Sequence, residues 1–244
     1  SPTDCFPACA EDGALAEYEA IQVRPHEPPM PGHYYAWRYP SHYRATGKRL
    51  AELLRFFSNY KTAKDLALLC ALMLTPAWGG APAKRYGVRP MIVINAADQG
   101  SGKTTIAQIA GDLWGGWMPM QLGKNSEEEF TKRALSPGGL TTRVVLLDNV
   151  TQVLKSAFIA GLITSDVIRG HRLYQGDAMR PNDLTWICTL NNARLDRDMA
   201  QRAFVLELNK PEKMAADWSK RIAIYVATYG PEIVADCLEV LGRP

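Results

Sequence analysis

The segment MIVINAADQGSGKTTIAQIAG, residues 91–111, decides the fold. Its apolar run, Met91 to Ile94, reads as a buried strand. A polar, glycine-rich turn follows, and a helical pattern opens at Lys103-Thr104-Thr105. Strand, loop and helix in that order match a phosphate-binding P-loop, G-x-x-x-x-G-K-[ST], with Ala97 in place of the first glycine. Gly100 and Gly102 allow a tight turn that aims several backbone N–H groups at phosphates. Lys103 supplies a point charge for the β- and γ-phosphates. Thr104 offers its hydroxyl to Mg²⁺ at a helix N-terminus, where the dipole favours anions. Ser101 and Thr105 complete the GSGKTT cradle. Ala97 precedes the phosphate nest, so a methyl group there is tolerated. The competing reading is a chance Gly-Lys-Thr turn, and the flanking strand and helix argue against it.

A P-loop needs an acid to hold the Mg²⁺ shell. RVVLLDNV, residues 143–150, supplies Asp148 at the end of an apolar run, with Asp148 also readable as a plain strand-end turn residue. Asn149 stands where many ATPases carry a catalytic glutamate. An amide cannot act as a base but can orient water, which weakens the case for fast hydrolysis. A third run, LTWICTLNN, ends in Asn191-Asn192, placed to sit between the two earlier motifs and contact the γ-phosphate or the attacking water. LDRDMAQRAFVLEL then holds Asp196, Arg197, Asp198 and Arg202 before the last strand. Arg202 suits an arginine finger reaching a neighbour's nucleotide. An i,i+4 surface ion pair with Asp198 fits it equally well.

Strands are expected at 90–95, roughly 117–121, 143–148, 185–190 and 203–208, alternating with helical patterns. This predicts an α/β fold with a mainly parallel central sheet. Around that core, 88–209, lie an irregular arm at 1–45, a helical region at 46–87 and C-terminal helices at 210–244. The last are expected over about 212–228 and 231–241, interrupted at Gly230-Pro231. In the helical region Leu50, Leu53, Leu54 and Phe57 share one face, and Ala63 to Leu74 is mostly apolar. The arm is rich in Pro, His and Tyr. Its aromatic-basic mixture suits single-stranded nucleic acid, but packing on its own domain or on a neighbouring subunit is the preferred reading.

Composition sets the outer bounds. The chain has 244 residues, 47% hydrophobic and 22% charged, ordinary for a globular protein. A net charge of +3, from 28 basic and 25 acidic residues, is too mild to argue for nucleic acid, so any DNA contact must be a local patch. LALLCALML, residues 66–74, is too short to span a bilayer, and no membrane role is expected. There is no signal-peptide pattern, and the opening Ser-Pro reads as a scar or a cut point in a longer protein. Five scattered cysteines fit a reducing, cytoplasmic setting. Cys70 and Cys188 read as core residues; Cys5 and Cys9 have the spacing of half a metal site with no second half.

Taken in order, GSGKTT, LLDNV, LITSDVIRGHRLYQGD, TLNN and DMAQR resemble AAA+ ATPases of the superfamily-three helicase type. The nearest likeness is to the poxvirus-like primase-helicases of phages, plasmids and integrated mobile elements, over about residues 47–209. The resemblance implies an AAA+-like three-layer P-loop NTPase sandwich that binds and hydrolyses ATP with Mg²⁺. It also implies assembly with copies of itself as a homo-hexamer or other ring. In that family a hairpin between the Mg²⁺ acid and the sensor strand projects into the ring's pore and contacts single-stranded DNA. Here the segment is VIRGHRLYQGD, with Arg169, His171 and Arg172 as the DNA-binding candidates at its tip. Its own pattern, Val167-Ile168 and Leu173-Tyr174 around a basic, glycine-containing tip, suits a hairpin, with a solvated loop as the alternative. By the same resemblance Asn191 is the sensor and Arg202 the finger acting in trans. Ala97 and Asn149 depart from the strict pattern, although mobile-element relatives share the LDNV form. A primase or other replication partner would lie outside this chain. Two further readings stand beside the motor: an ATP-gated assembly module, and a monomeric small-molecule kinase. The kinase would need an arginine-bearing lid, and the C-terminal helices carry few arginines.

Overall fold

Alternate residues of one strand belong to two different cores, which fixes the layering. Ile92 and Ile94 join one buried cluster and Met91 and Val93 the other. A strand buried on both faces reads as a continuous apolar run, as residues 91–94 do. The computed structural model describes residues 20–22, 24–26, 33–78, 89–97, 100–123, 125–172, 176–191, 193–210 and 216–242. Cys5, Cys9, Asn192 and the segment 173–175 lie outside them.

In chain order the elements are β1 (Ala20–Gln22), β2 (His33–Tyr35), α1 (Lys48–Arg55), α2 (Ala63–Leu74), β3 (Met91–Ala96), α3 (Lys103–Leu113), β4 (Trp117–Pro119), α4 (Ser126–Ala134), α5 (Pro137–Leu140), β5 (Val144–Val150), α6 (Ala157–Thr164), β6 (Val167–Arg172), β7 (Gly176–Pro181), β8 (Thr185–Asn191), α7 (Arg197–Ala200), β9 (Ala203–Leu208) and α8 (Trp218–Gly242). Five strands form one sheet in the order β4-β5-β8-β3-β9, every neighbouring pair parallel. Helices α1, α2, α3 and α8 pack on the face that carries Ile92, Ile94, Val144, Leu146 and Ile187. Helices α4 and α6 cover the opposite face, around Val145, Leu147, Trp186 and Cys188. The expected α/β three-layer arrangement is therefore present.

Three details differ from the sequence expectation. The arm contains a short parallel pair, β1 with β2, rather than irregular chain alone. It is tied to the core, since Gln22 Nε2 donates to the Leu140 carbonyl and Arg143 donates to the carbonyls of Arg24 and Pro25. Second, the expected break at Gly230-Pro231 does not occur, and α8 runs 25 residues through the proline. An interior proline removes a hydrogen bond and costs about 3 kcal/mol. Pro231 faces solvent, while the next turn, Glu232 to Cys237, is wholly buried, and that burial offsets the cost. Third, three arginines among the described residues are buried, although arginine is ordinarily exposed. Arg89 precedes β3, Arg143 precedes β5 and Arg180 ends β7. All three surround Asp183, to which Arg180 donates at 2.5 Å. Burial alone would raise the Asp183 carboxyl, but these guanidinium groups outweigh it and hold it below the ordinary carboxylate range. Burial lowers Arg89 to about 10.

Cys188 is buried and pushed up to about 12, chiefly by burial; Cys70 is half-buried and raised for the same reason. Both behave as small apolar side chains. Among the described residues no helix is long and apolar enough to cross a membrane.

Candidate functional site

The C-terminal ends of β3, β5 and β8 lie side by side, and the loop after β3 turns over them. Gly100 and Gly102 both adopt left-handed backbone, with φ of 75° and 86°. Glycine reaches that region without the Cβ penalty other residues carry. Gly102 is the N-cap of α3 and gives no side-chain cap, so the first-turn N–H groups remain available to an anion. The loop closes a cavity of about 470 Å³. Its lining, among the described residues, is Gly100 to Thr105 with Asp148, Asn149, Thr189 and Asn191. Three separately read motifs therefore meet in one place.

Their polar groups form a single network. Thr104 Oγ1 donates to Asp148 Oδ1 at 2.8 Å, and Thr189 Oγ1 donates to the same oxygen at 2.6 Å. The Asn149 N–H donates to Thr189 Oγ1 at 2.7 Å, and Asn191 Nδ2 approaches Asn149 Oδ1 at 3.4 Å. Lys103 Nζ lies 3.5 Å from the hydroxyl of buried Ser101. β5 changes register between Leu147 and Val150, and this irregularity leaves both Asp148 and Asn149 exposed. Regular alternation would have turned one of the two away. Asn149 is the one non-glycine described residue with positive φ, 57°. Asparagine tolerates that conformation better than most residues, so the backbone itself favours Asn149 over a glutamate here. Asn149→Gly is expected to keep wild-type stability and Asn149→Val to lose about 1–2 kcal/mol. Urea unfolding of the two variants checks this, and equal midpoints would refute it.

The donor set fits a hard divalent cation. Ions of the Mg²⁺ type bind oxygens at about 2.0–2.1 Å in octahedra, whose adjacent ligands are about 2.9 Å apart. The hydroxyl of Thr104 and the carboxylate of Asp148 already stand at 2.8 Å.

No family model and no curated protein matches the chain. Among solved structures, the apo C-terminal region of NrS-1 aligns with a TM-score of 0.53 at 14% identity, covering 89% of this chain and 54% of that one. Another structure of the same NrS-1 region gives 0.50 at 15% identity, over 88% and 46%. JCV helicase aligns at 0.46 and 15% identity, over 84% and 58%. The chain thus spans about half the length of the solved structures it matches.

The chain has an α/β P-loop NTPase fold.

The α/β P-loop fold that the resemblance implied is borne out. Within this P-loop NTPase fold, Thr189 is the site residue that sequence reasoning missed. Its signal was slight, a hydroxyl in an apolar strand on the same parity as Asn191.

Arg202 is not brought to the cavity of its own chain. Its carbonyl accepts from Met91 N–H, at the opposite end of β3 from the P-loop. At roughly 3.3 Å per residue, that is about 20 Å away. Its guanidinium donates to Asp198 Oδ1 at 3.0 and 3.1 Å.

Residues 167–172 and 176–181 pair antiparallel, with Arg172 opposite Gly176. Arg169 and His171 lie along β6 and not at the tip, since three residues separate the two strands. His171 Nδ1 sits 3.0 Å from Asp177 Oδ1, its cross-strand partner. Arg169 is exposed beside Met179, itself 71% exposed. The other face rests on α4, where a side chain at Gly170 would collide with Thr131.

Proposed function

We propose that the chain is an ATP-binding and ATP-hydrolysing motor domain that acts on single-stranded DNA, the helicase part of a mobile-element replication protein working as a ring of like subunits. The observation that carries this reading is the network of Thr104, Asp148, Thr189, Asn149 and Asn191 at the mouth of the P-loop. The P-loop amides and Lys103 would hold the triphosphate, and Thr104 with Asp148 would hold Mg²⁺. When bound, that ion would neutralise charge developing on the phosphates. Asn149 and Asn191 orient the attacking water through their amides. The exposed face of the β6–β7 hairpin offers Arg169 for phosphate contact.

A second reading, an ATP-gated assembly module with slow turnover and no unwinding, is favoured by one feature. Among the described residues lining the cavity, Asp148 is the sole carboxylate, and one of its oxygens already accepts two hydroxyls. ATPase rates with and without single-stranded DNA, paired with a sizing measurement, separate the two. DNA-stimulated turnover by a ring supports the motor; nucleotide-dependent assembly with negligible turnover supports the module.

Lys103→Ala is expected to weaken ATP binding by about 100-fold, since a charge-assisted contact contributes about 3 kcal/mol. Its far-UV circular dichroism should match wild type. Calorimetric affinity that survives the change would count against the P-loop reading. Replacing Arg169 and Arg172 together with alanine should weaken single-stranded DNA binding. It should also flatten the salt dependence by about 0.7 in log–log slope per lost phosphate contact. An unchanged slope places the DNA elsewhere.

A further inference from the structure

The P-loop is held from outside as well as from within. Asn59, in the turn after α1, donates through its amide nitrogen to the Ser101 carbonyl at 3.0 Å and to the Asn209 carbonyl at 2.8 Å. Its backbone carbonyl accepts from Asn209 N–H at 2.7 Å. The amide orientation follows from these partners, because the reverse setting would press its oxygen against two carbonyl oxygens. Trp218, at the start of α8, closes the same loop from another side. A Cβ on Gly102 would stand 2.8 Å from its ring carbon Cη2. That indole is itself fixed. Its Nε1–H donates to the Phe56 carbonyl at 2.9 Å, and Phe57 meets it edge-on with centroids 5.7 Å apart.

The Ser101–Gly102 peptide is planar and trans, so its C=O and N–H point in opposite directions. A carbonyl drawn outward to Asn59 turns the Gly102 N–H inward, toward the cavity that Gly102 lines. We propose that Asn59 and Trp218 are positioning residues that lock this peptide plane, presenting the Gly102 N–H to a phosphate before any nucleotide arrives. The phosphate as occupant rests on the nucleotide reading above; the lock itself does not. Without it, glycine on either side of Ser101 leaves the peptide free to rotate, and each binding event would have to order it.

The test compares the full chain with Asn59→Ala and Asn59→Asp, using two readouts. Backbone amide exchange over residues 100–104 of the nucleotide-free protein reads the lock directly. Calorimetric binding of MgATP, with kcat and KM, reads its consequence. Asn59→Ala is expected to speed exchange about tenfold, as loss of two modest hydrogen bonds implies. It should raise the ATP dissociation constant by a similar factor while kcat at saturation stays within about twofold. Asn59→Asp preserves shape but sets a carboxylate against two carbonyls, so it should be at least as damaging. Rescue to wild-type exchange by Asn59→Asp would reduce Asn59 to a space-filler and overturn the proposal. Unchanged exchange and affinity in both variants would overturn it as well. Faster exchange in a protein whose wild type binds no MgATP would leave the lock standing and remove the nucleotide reading. Should Asn59→Ala fail to fold, the isosteric Asn59→Asp carries both readouts.

Discussion

Arg202→Ala is expected to bind ATP with wild-type affinity and to hydrolyse it ~10³–10⁵-fold more slowly. The size follows from what a finger does, which is to stabilise charge on the transferring phosphoryl group and not on the ground-state nucleotide. Arg202 is at the far end of β3 from its own P-loop, so it can reach only a nucleotide held by another subunit. Mixing therefore discriminates. In the ring proposed above, a mixture of Arg202→Ala and Lys103→Ala subunits would contain junctions where an intact lysine faces an intact arginine, and activity should partly return there. If Arg202 serves only as a surface partner of Asp198, the substitution would cost well under 1 kcal/mol of stability and leave hydrolysis alone. An ATPase rate unaltered by Arg202→Ala, with no effect of mixing, excludes the finger.

The second large effect concerns Asp236. This carboxylate is fully buried in α8 and accepts from the backbone N–H groups of Thr46, Gly47, Arg49 and Leu50 at 2.7–3.1 Å. Tyr43 Oη–H donates to both of its oxygens at 3.0 Å. The N-cap of α1 is Gly47, which offers no side chain, so the helix is capped by a residue nearly the whole chain away. The same carboxylate complements the positive end of the α1 dipole. Asp236→Ala would strand several buried donors at once. The expected loss is about 3–5 kcal/mol, since each unsatisfied buried group costs about 1–3 kcal/mol and some of them regain water. In a domain of this size, each kcal/mol lowers Tm by roughly 2–4 °C. A urea midpoint and Tm equal to wild type would show that α1 does not depend on this cap.

These two residues mark where sequence reading reached and where it stopped. Lys103, Thr104 and Asp148 were legible because phosphate and Mg²⁺ chemistry restricts the residue types, and because an apolar strand announces each one. The five sheet strands were legible for the same reason, since burial on both faces writes itself as a run. Asp236 was not. A cap is ordinarily sought beside its helix, and nothing local connects residue 236 to residue 47. Thr189 hid in an apolar strand, and its value to Asp148 and Asn149 depends on β8 lying between β3 and β5. The buried Arg89, Arg143 and Arg180 ran against the ordinary rule that arginine faces water. Pro231 was read by its local effect, whereas the tertiary burial that follows it decided the outcome. The basic residues of β6 were placed at a tip because spacing locates a turn only to within a few residues.

The order of the sheet has a consequence for the newborn chain. Among the described residues β3 pairs with β8 and β9 alone, and both are made roughly a hundred residues later. At about 5–20 residues per second, several seconds or more separate the synthesis of Ile92 from that of Ile187. Throughout that interval the strand ahead of the P-loop is apolar on both faces and has neither neighbour. Protein synthesis thus leaves this apolar segment open for that whole interval, and a slow ribosome lengthens the exposure.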